Sequence, residues 1–238
     1  VKKLILFLLL LVSCQIILAK EFNEINKLLS ERFDQKKWQK ALEDELSLHE
    51  EGNQHKNLLH ARYIEAFMRG GEGDENMRIS KLLWVIEHAK KEDFEIYAYS
   101  NYHLASTLSN VGSNNLALRY SREALKKCLE NKINKLLHLN YSLEGAIHYK
   151  LKNYEDAIDS YFKALKNNKT KDYLFRASMF NNISLCKMNQ HKLDESNIYI
   201  QKSLSNLAKI KKPNTEVILF KIIVEGNLGT NYFIQKRY

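Results

Sequence analysis

The sequence predicts an all-α protein, a solenoid of stacked antiparallel helix pairs, and three observations predict it. First, one set of landmarks recurs: Ala117, Ser121, Ala124, Leu125; then Ala157, Tyr161, Ala164, Leu165; then Ser196, Ile200, Ser203, Leu204. Leu125, Leu165 and Leu204 stand 40 and then 39 residues apart, and a fixed period of that length is the signature of a helical repeat array. Second, a small residue lies twelve positions before each set: Ala105 before Ala117, Gly145 before Ala157, Ser184 before Ser196. Residues three and four apart share a helix face, and small ones let a neighbouring helix approach, so these pairs mark where two antiparallel helices cross. Third, one proline and eight glycines in 238 residues, 45% hydrophobic and 27% charged, suit nearly continuous helix around a sizeable core.

At the N-terminus Lys2 and Lys3 precede an apolar run from Leu4 to Val12, a break at Ser13-Cys14-Gln15, then Ile16-Ile17-Leu18-Ala19 and the charged Lys20-Glu21. That order predicts a signal peptide over 1–19 and an exported protein, periplasmic or at the outer surface. The run is too short and interrupted for a comfortable membrane span. Two processing readings compete, with an uncleaved anchor as a third. Cleavage after Ala19 releases a soluble protein, whereas Leu11-Val12-Ser13-Cys14 resembles the bacterial lipobox and would make Cys14 the site of lipidation, against which Ile16, Ile17 and Leu18 follow the cysteine directly.

Residues 20–56 read as a capping hairpin. Phe22, Ile25, Leu28 and Leu29 give one amphipathic helix; Trp38, Ala41, Leu42, Leu46 and Leu48 give the next. A degenerate repeat over 57–92 follows, with Leu58, Leu59, Tyr63, Ala66 and Phe67 on its first helix and Ile79, Leu82, Leu83, Ile86 and Ala89 on its second. The glycines between them, at 70, 71 and 73, lack the Lys-Ser/Thr of a phosphate loop and any preceding strand, so they read as a helix connection. Full repeats are expected over 93–131, 132–171 and 172–212, and 213–238 reads as the first helix of a further, incomplete one. Seven of the eight residues from Val217 to Val224 are apolar, which predicts an exposed surface unless something covers it. The favoured expectation is a natural protein that continues past Tyr238, the other being docking in trans.

The stretch from Tyr149 through Tyr154, Ala157, Ile158, Tyr161, Phe162 and Ala164 to Leu165 resembles the second-helix signature of the tetratricopeptide repeat family, and the resemblance extends over residues 97 to 238. It implies a right-handed superhelix whose first helices line a concave groove for an extended peptide or partner helix. The family's repeat is nearer about 34 residues, so the longer period implies longer helices or linkers. Asn101, Tyr141 and Phe180 only partly keep its first-helix aromatic. Carried onto this sequence, the groove face nominates Tyr99, Tyr102, Ser106, Ser109 and Asn110; then Ser142, Ala146, Tyr149 and Lys150; then Asn181, Leu185, Met188 and Asn189. Tyrosine, asparagine and methionine suit peptide binding, although the same positions could be packed between helices. Lys150 lacks the neighbouring asparagine and lysine of the family's clamp for chaperone tails. With its leader, the chain resembles exported repeat proteins of Bacteroidetes-type bacteria. Their kinship with the sensor halves of membrane-tethered regulators implies an alternative, an input portion whose histidine kinase or helix-turn-helix output lies beyond Tyr238.

No His-Glu-x-x-His, Gly-x-Ser-x-Gly or paired-cysteine metal spacing occurs, so no enzyme, cofactor or metal is expected. His148 reads as a hydrogen-bonded histidine between helices, Glu43-Asp44-Glu45 and Glu92-Asp93 as solvated helix ends, and Cys128 and Cys186 as small core residues rather than a bridge. The net charge of +9 falls to +7 without Lys2 and Lys3. Its lysines alternate with carboxylates, as Lys150 and Lys152 do with Glu155 and Asp156, which predicts solvated helix faces and no nucleic-acid partner. The expected partner is protein or peptide, with membrane contact only through the leader or a lipid anchor.

Overall fold

The computed structural model describes residues 22–30, 34–52, 55–71 and 73–236; the expected signal peptide and Cys14 lie outside the described residues. Among those residues the chain forms helices without strands: α1 (Phe22–Ser30), α2 (Gln35–Gly52), α3 (His55–Gly71), α4 (Glu75–His88), α5 (Phe94–Asn110), α6 (Asn114–Glu130), α7 (Asn134–Lys150), α8 (Tyr154–Asn167), α9 (Tyr173–Asn189), α10 (Leu193–Leu207) and α11 (Thr215–Gln235). Two compact units divide at Ser100/Asn101, inside α5.

In the first unit α3 is central, with α1, α2 and α4 packed on it. Phe22 of α1 stands edge-on to Tyr63 at 5.2 Å and to Tyr99 at 5.4 Å, and Phe67 packs edge-on with Trp38 and tilted against Tyr63. One expectation is overturned here. Glu45, read as part of a solvated acidic run, is 0% exposed, while Glu43 is exposed and Asp44 half-buried. Helical phase is the cause: Trp38, Ala41, Leu42 and Glu45 fall on one face, and that face is the buried one. A buried carboxylate needs partners. Asn57 Nδ2 donates to Glu45 Oε2 at 2.8 Å, and His60 Nδ1 lies 3.3 Å from the same oxygen.

In the second unit helices pack on their sequence neighbours, most extensively α7 on α8 and α9 on α10. The recurring landmarks are its core. Ala117, Ser121, Ala124, Ala157, Tyr161, Ala164, Ser196, Ile200 and Ser203 are buried, and so are the crossing residues Ala105 and Ser184. The serines among them satisfy their hydroxyls across the crossing: Ser121 donates to Asn140 at 2.9 Å, Ser196 to the Ser184 carbonyl at 2.9 Å, and Ser203 to the Ala177 carbonyl at 2.8 Å. Each is therefore both a small residue and a polar latch, which alanine could not be.

Gly145 shows why one crossing demands no side chain at all. A Cβ built there would meet the Tyr161 ring at 2.7 Å, so α8 reaches α7 by laying an aromatic ring on bare backbone. Four of the helices, α5, α6, α7 and α9, end alike. Gly112, Lys132, Lys152 and His191, each two residues past a helix end, take left-handed φ of 86°, 56°, 63° and 61°. After each, the next amide donates to a carbonyl five residues back, at 2.8–2.9 Å, for example Ser113 to Leu108 and Asn153 to His148. This Schellman closure satisfies otherwise orphaned helix carbonyls. The first helices α5, α7 and α9 are each 17 residues long and close with the same turn, which keeps the hairpins in step.

Candidate functional site

The nominated groove residues fall on the first helices of successive pairs, α5, α7 and α9. Ser142, Ala146 and Tyr149 form one stripe at i, i+4, i+7 on α7, and Asn181, Leu185 and Met188 form the matching stripe on α9. Tyr102, Ser106, Ser142, Ala146, Tyr149, Leu185 and Met188 are half-buried; Asn110, Lys150 and Asn189 are exposed. Tyr99, Ser109 and Asn181 are buried. Tyr99 lies in the first unit against Phe22, and Asn181 accepts a hydrogen bond from Asn227 of α11 at 2.9 Å. Burial raises the Tyr102 phenol above its ordinary value, so it stays a neutral hydroxyl.

The polar members of this face hold its geometry. Lys150 Nζ donates to both the carbonyl and the hydroxyl of Ser109, each at 2.9 Å, which places an ammonium at the carbonyl end of α5, where the helix dipole favours a cation. Asn189 Nδ2 donates to the Tyr149 hydroxyl at 3.1 Å and to the Leu185 carbonyl at 2.8 Å. The C-terminal ends of α5, α7 and α9 are thereby tied in series. The apolar members Ala146, Leu185 and Met188 stay half-open along the stripe, with Ser142 and the Tyr149 ring beside them.

A second feature was not legible in the sequence. Tyr173, Arg176 and Phe180 of α9 face Lys202, Ser205 and Lys209 of α10 across a groove of about 480 Å³. The Lys202 ammonium lies 4.7 Å from the Tyr199 ring centroid, and that of Lys209 lies 5.6 Å from Tyr173, so both cations rest on aromatic faces. No carboxylate lines the groove. Each helix read alone shows only a charged outer face, and the groove exists once the two pair. One signal was available: Lys202 and Lys209 have no acidic residue three or four positions away, whereas Lys163 has Asp159, at 2.6 Å.

In the first unit a cleft of about 450 Å³ carries Lys56, His60, Glu92 and Asp93, a mixed set of charges. Among the described residues no group of three or more His, Cys, Asp or Glu side chains could hold a metal ion. Cys128 and Cys186 are free and buried, and burial pushes both thiols up to about 12. His148 is buried with Nδ1 3.9 Å from an Asp156 oxygen, on the packed side of α7 rather than in the stripe.

No protein-family model and no curated protein matches the chain. Solved structures do. BtubC (BKLC) from P. vanneervenii aligns with a TM-score of 0.68 at 17% identity, over 87% of this chain and 83% of that one. The apo form of RapI aligns with a TM-score of 0.65 at 16% identity, over 84% of this chain and 58% of RapI. A signal transduction ATPase with numerous domains and a tetratricopeptide repeat sensor, from Pyrococcus horikoshii, aligns with a TM-score of 0.64 at 17% identity, over 83% of this chain and 33% of that one. The fold is a tetratricopeptide-like helical repeat.

Proposed function

We propose that this chain is a non-catalytic scaffold that binds a polypeptide on the face shared by its first helices. The observation that carries the reading is the division of labour in that face. Lys150 and Asn189 are engaged in fixing helix separation, while Ala146, Leu185 and Met188 stay half-open beside Tyr102 and Tyr149. A deformable thioether, aliphatic area and rigid aromatic rings held on a stiff frame suit a peptide or helix with a few apolar anchors. The test is selection of a random displayed-peptide library on the purified chain. Tyr102→Ala with Tyr149→Ala should weaken the selected peptides by roughly tenfold or more with the helical circular dichroism unchanged; unaltered binding would move the site elsewhere.

The groove between α9 and α10 favours a second reading of the ligand. Arg176, Lys202 and Lys209, with no acidic neighbour in the lining, would take an acidic stretch. Lys202→Glu with Lys209→Glu would then abolish peptides rich in Asp and Glu and spare neutral ones.

Export and the choice of processing rest on the Lys2-Lys3 start, the apolar run and the two candidate cleavage positions. The mass of the mature N-terminus from the native host decides between cleavage after Ala19 and acylation at Cys14. The alternative role, the extracytoplasmic input of a signalling regulator, rests on family resemblance. It requires an in-frame membrane span and a kinase or helix-turn-helix segment downstream of codon 238.

A further inference from the structure

Helix α11 is covered on one side. Val217, Val224 and Asn231, seven residues apart, form its buried stripe, and Asn231 Nδ2 donates to Ser196 Oγ at 2.8 Å and to Asn197 Oδ1 at 2.9 Å. The opposite stripe carries Ile218, Leu219, Ile222, Gly226, Gly229 and Phe233, and its large members are 50–59% exposed. No charge falls within it. Gly226 is the twelfth residue of α11, as Ala105, Gly145 and Ser184 are of α5, α7 and α9. In α7 that position receives the Tyr161 ring of the following helix; at Gly226 and Gly229 a Cβ would meet nothing within 4 Å. The outer face of α11 is therefore shaped to receive a helix.

We propose that its occupant is α11 of a second copy of this chain, running antiparallel about a two-fold axis beside Ile222 and Ile223. Self-complementarity carries the assignment. Reversing the helix about the point between Ile222 and Ile223 sets Leu219 of one copy over Gly226 of the other, a bulky residue into a bare position, and Ile222 against Ile223 of its mate, with Ile218 within a turn of Gly229. On the flank, Lys221 and Glu225, exposed and paired within the helix at 3.6 Å, come within one residue of direct opposition, so that Lys221 of each copy also reaches Glu225 of the other. A two-fold axis makes each of these contacts twice. A parallel pair would set Lys221 against Lys221 and leave the glycines unfilled. The competing occupants are a following helix of the same polypeptide, as α8 is for Gly145, and a lipid surface, since by length and composition α11 could also cross a membrane.

Analytical ultracentrifugation of the full chain should show a reversible dimer. Gly226→Leu fills open space in the monomer, so the helical spectrum and melting should be retained while the dimer is lost, because Leu219 of the other copy no longer fits. Lys221→Glu and Glu225→Lys each set like charges opposite one another twice, and each should weaken the dimer by about tenfold. An equimolar mixture of those two variants should recover the affinity of the unmodified chain, since opposite charges then meet only in the mixed pair. A chain that stays monomeric, a dimer indifferent to Gly226→Leu, or variants that fail to recover on mixing would each overturn the proposal. So would a monomer whose α11 is taken up by vesicles of mixed neutral and anionic phospholipid.

Discussion

Gly145 and Gly226 hold the same place in two copies of one helix, and their surroundings are opposite. Over Gly145 lies the Tyr161 ring, close enough that a methyl group would collide with it at 2.7 Å; over Gly226 there is open space. The same residue type at the same phase is therefore a packing requirement in α7 and an unfilled socket in α11. Position in a repeat states what a residue can receive. Only the neighbour states whether it has received it.

Five measurements sharpen that contrast. The largest effect is expected at the α7–α8 crossing, where Tyr161→Ala removes a buried ring and should cost about 3–5 kcal/mol in denaturant unfolding. Gly145→Ala should cost about 1–3 kcal/mol alone and far less in the Tyr161→Ala background, so the cycle should show strong coupling; additivity would mean that the ring does not rest on the glycine. Next comes Ser196, which donates to the Ser184 carbonyl and accepts from Asn231, so that one hydroxyl joins α9, α10 and α11. Ser196→Ala removes both of those bonds, leaving Asn231 held by Asn197 alone, and should cost about 1–2 kcal/mol, lowering the melting temperature.

At the open socket the sign reverses. Gly226→Ala should stabilise the monomer by about 0.5–1 kcal/mol, since alanine is the better helix former and meets nothing; a loss of stability would show that something already fills the space. The smallest effect concerns Cys186, in the same core cluster as Tyr161, and Cys128. Burial raises both thiols from 9 to about 12, so the folded chain should resist a disulfide-exchange reagent at pH 8 and react only on unfolding. Between those two values the unfolded chain releases protons that the folded one keeps, so stability should fall as pH rises through that window.

The fold was legible where the sequence repeats. Ala117, Ala157 and Ser196 could be placed at helix crossings because their spacing to Ala105, Gly145 and Ser184 is constant, and all six are buried. Polar interiors were harder to read. Three acidic residues in a row look solvated, and only the phase shared with Trp38 and Ala41 reveals that Glu45 points inward. Serine at a small position reads simply as small; that Ser121, Ser196 and Ser203 bond across the crossing depends on a carbonyl or amide supplied by another helix. The face candidates show the same limit. Successive residues are about 100° apart on a helix, so a face boundary drawn from spacing alone admits positions such as Asn181, which here meets Asn227. The groove of Arg176, Lys202 and Lys209 belongs to no single helix.

The shared Schellman closures at Gly112, Lys152 and His191 carry one more consequence. Each needs only residues within its own hairpin, and the three lie 40 and 39 positions apart, so an unequal crossover between any two splices one turn onto an equivalent turn. The recombinant gene gains or loses a whole hairpin in register. Such a chain can change length by duplication or deletion while each surviving junction keeps its hydrogen bonds.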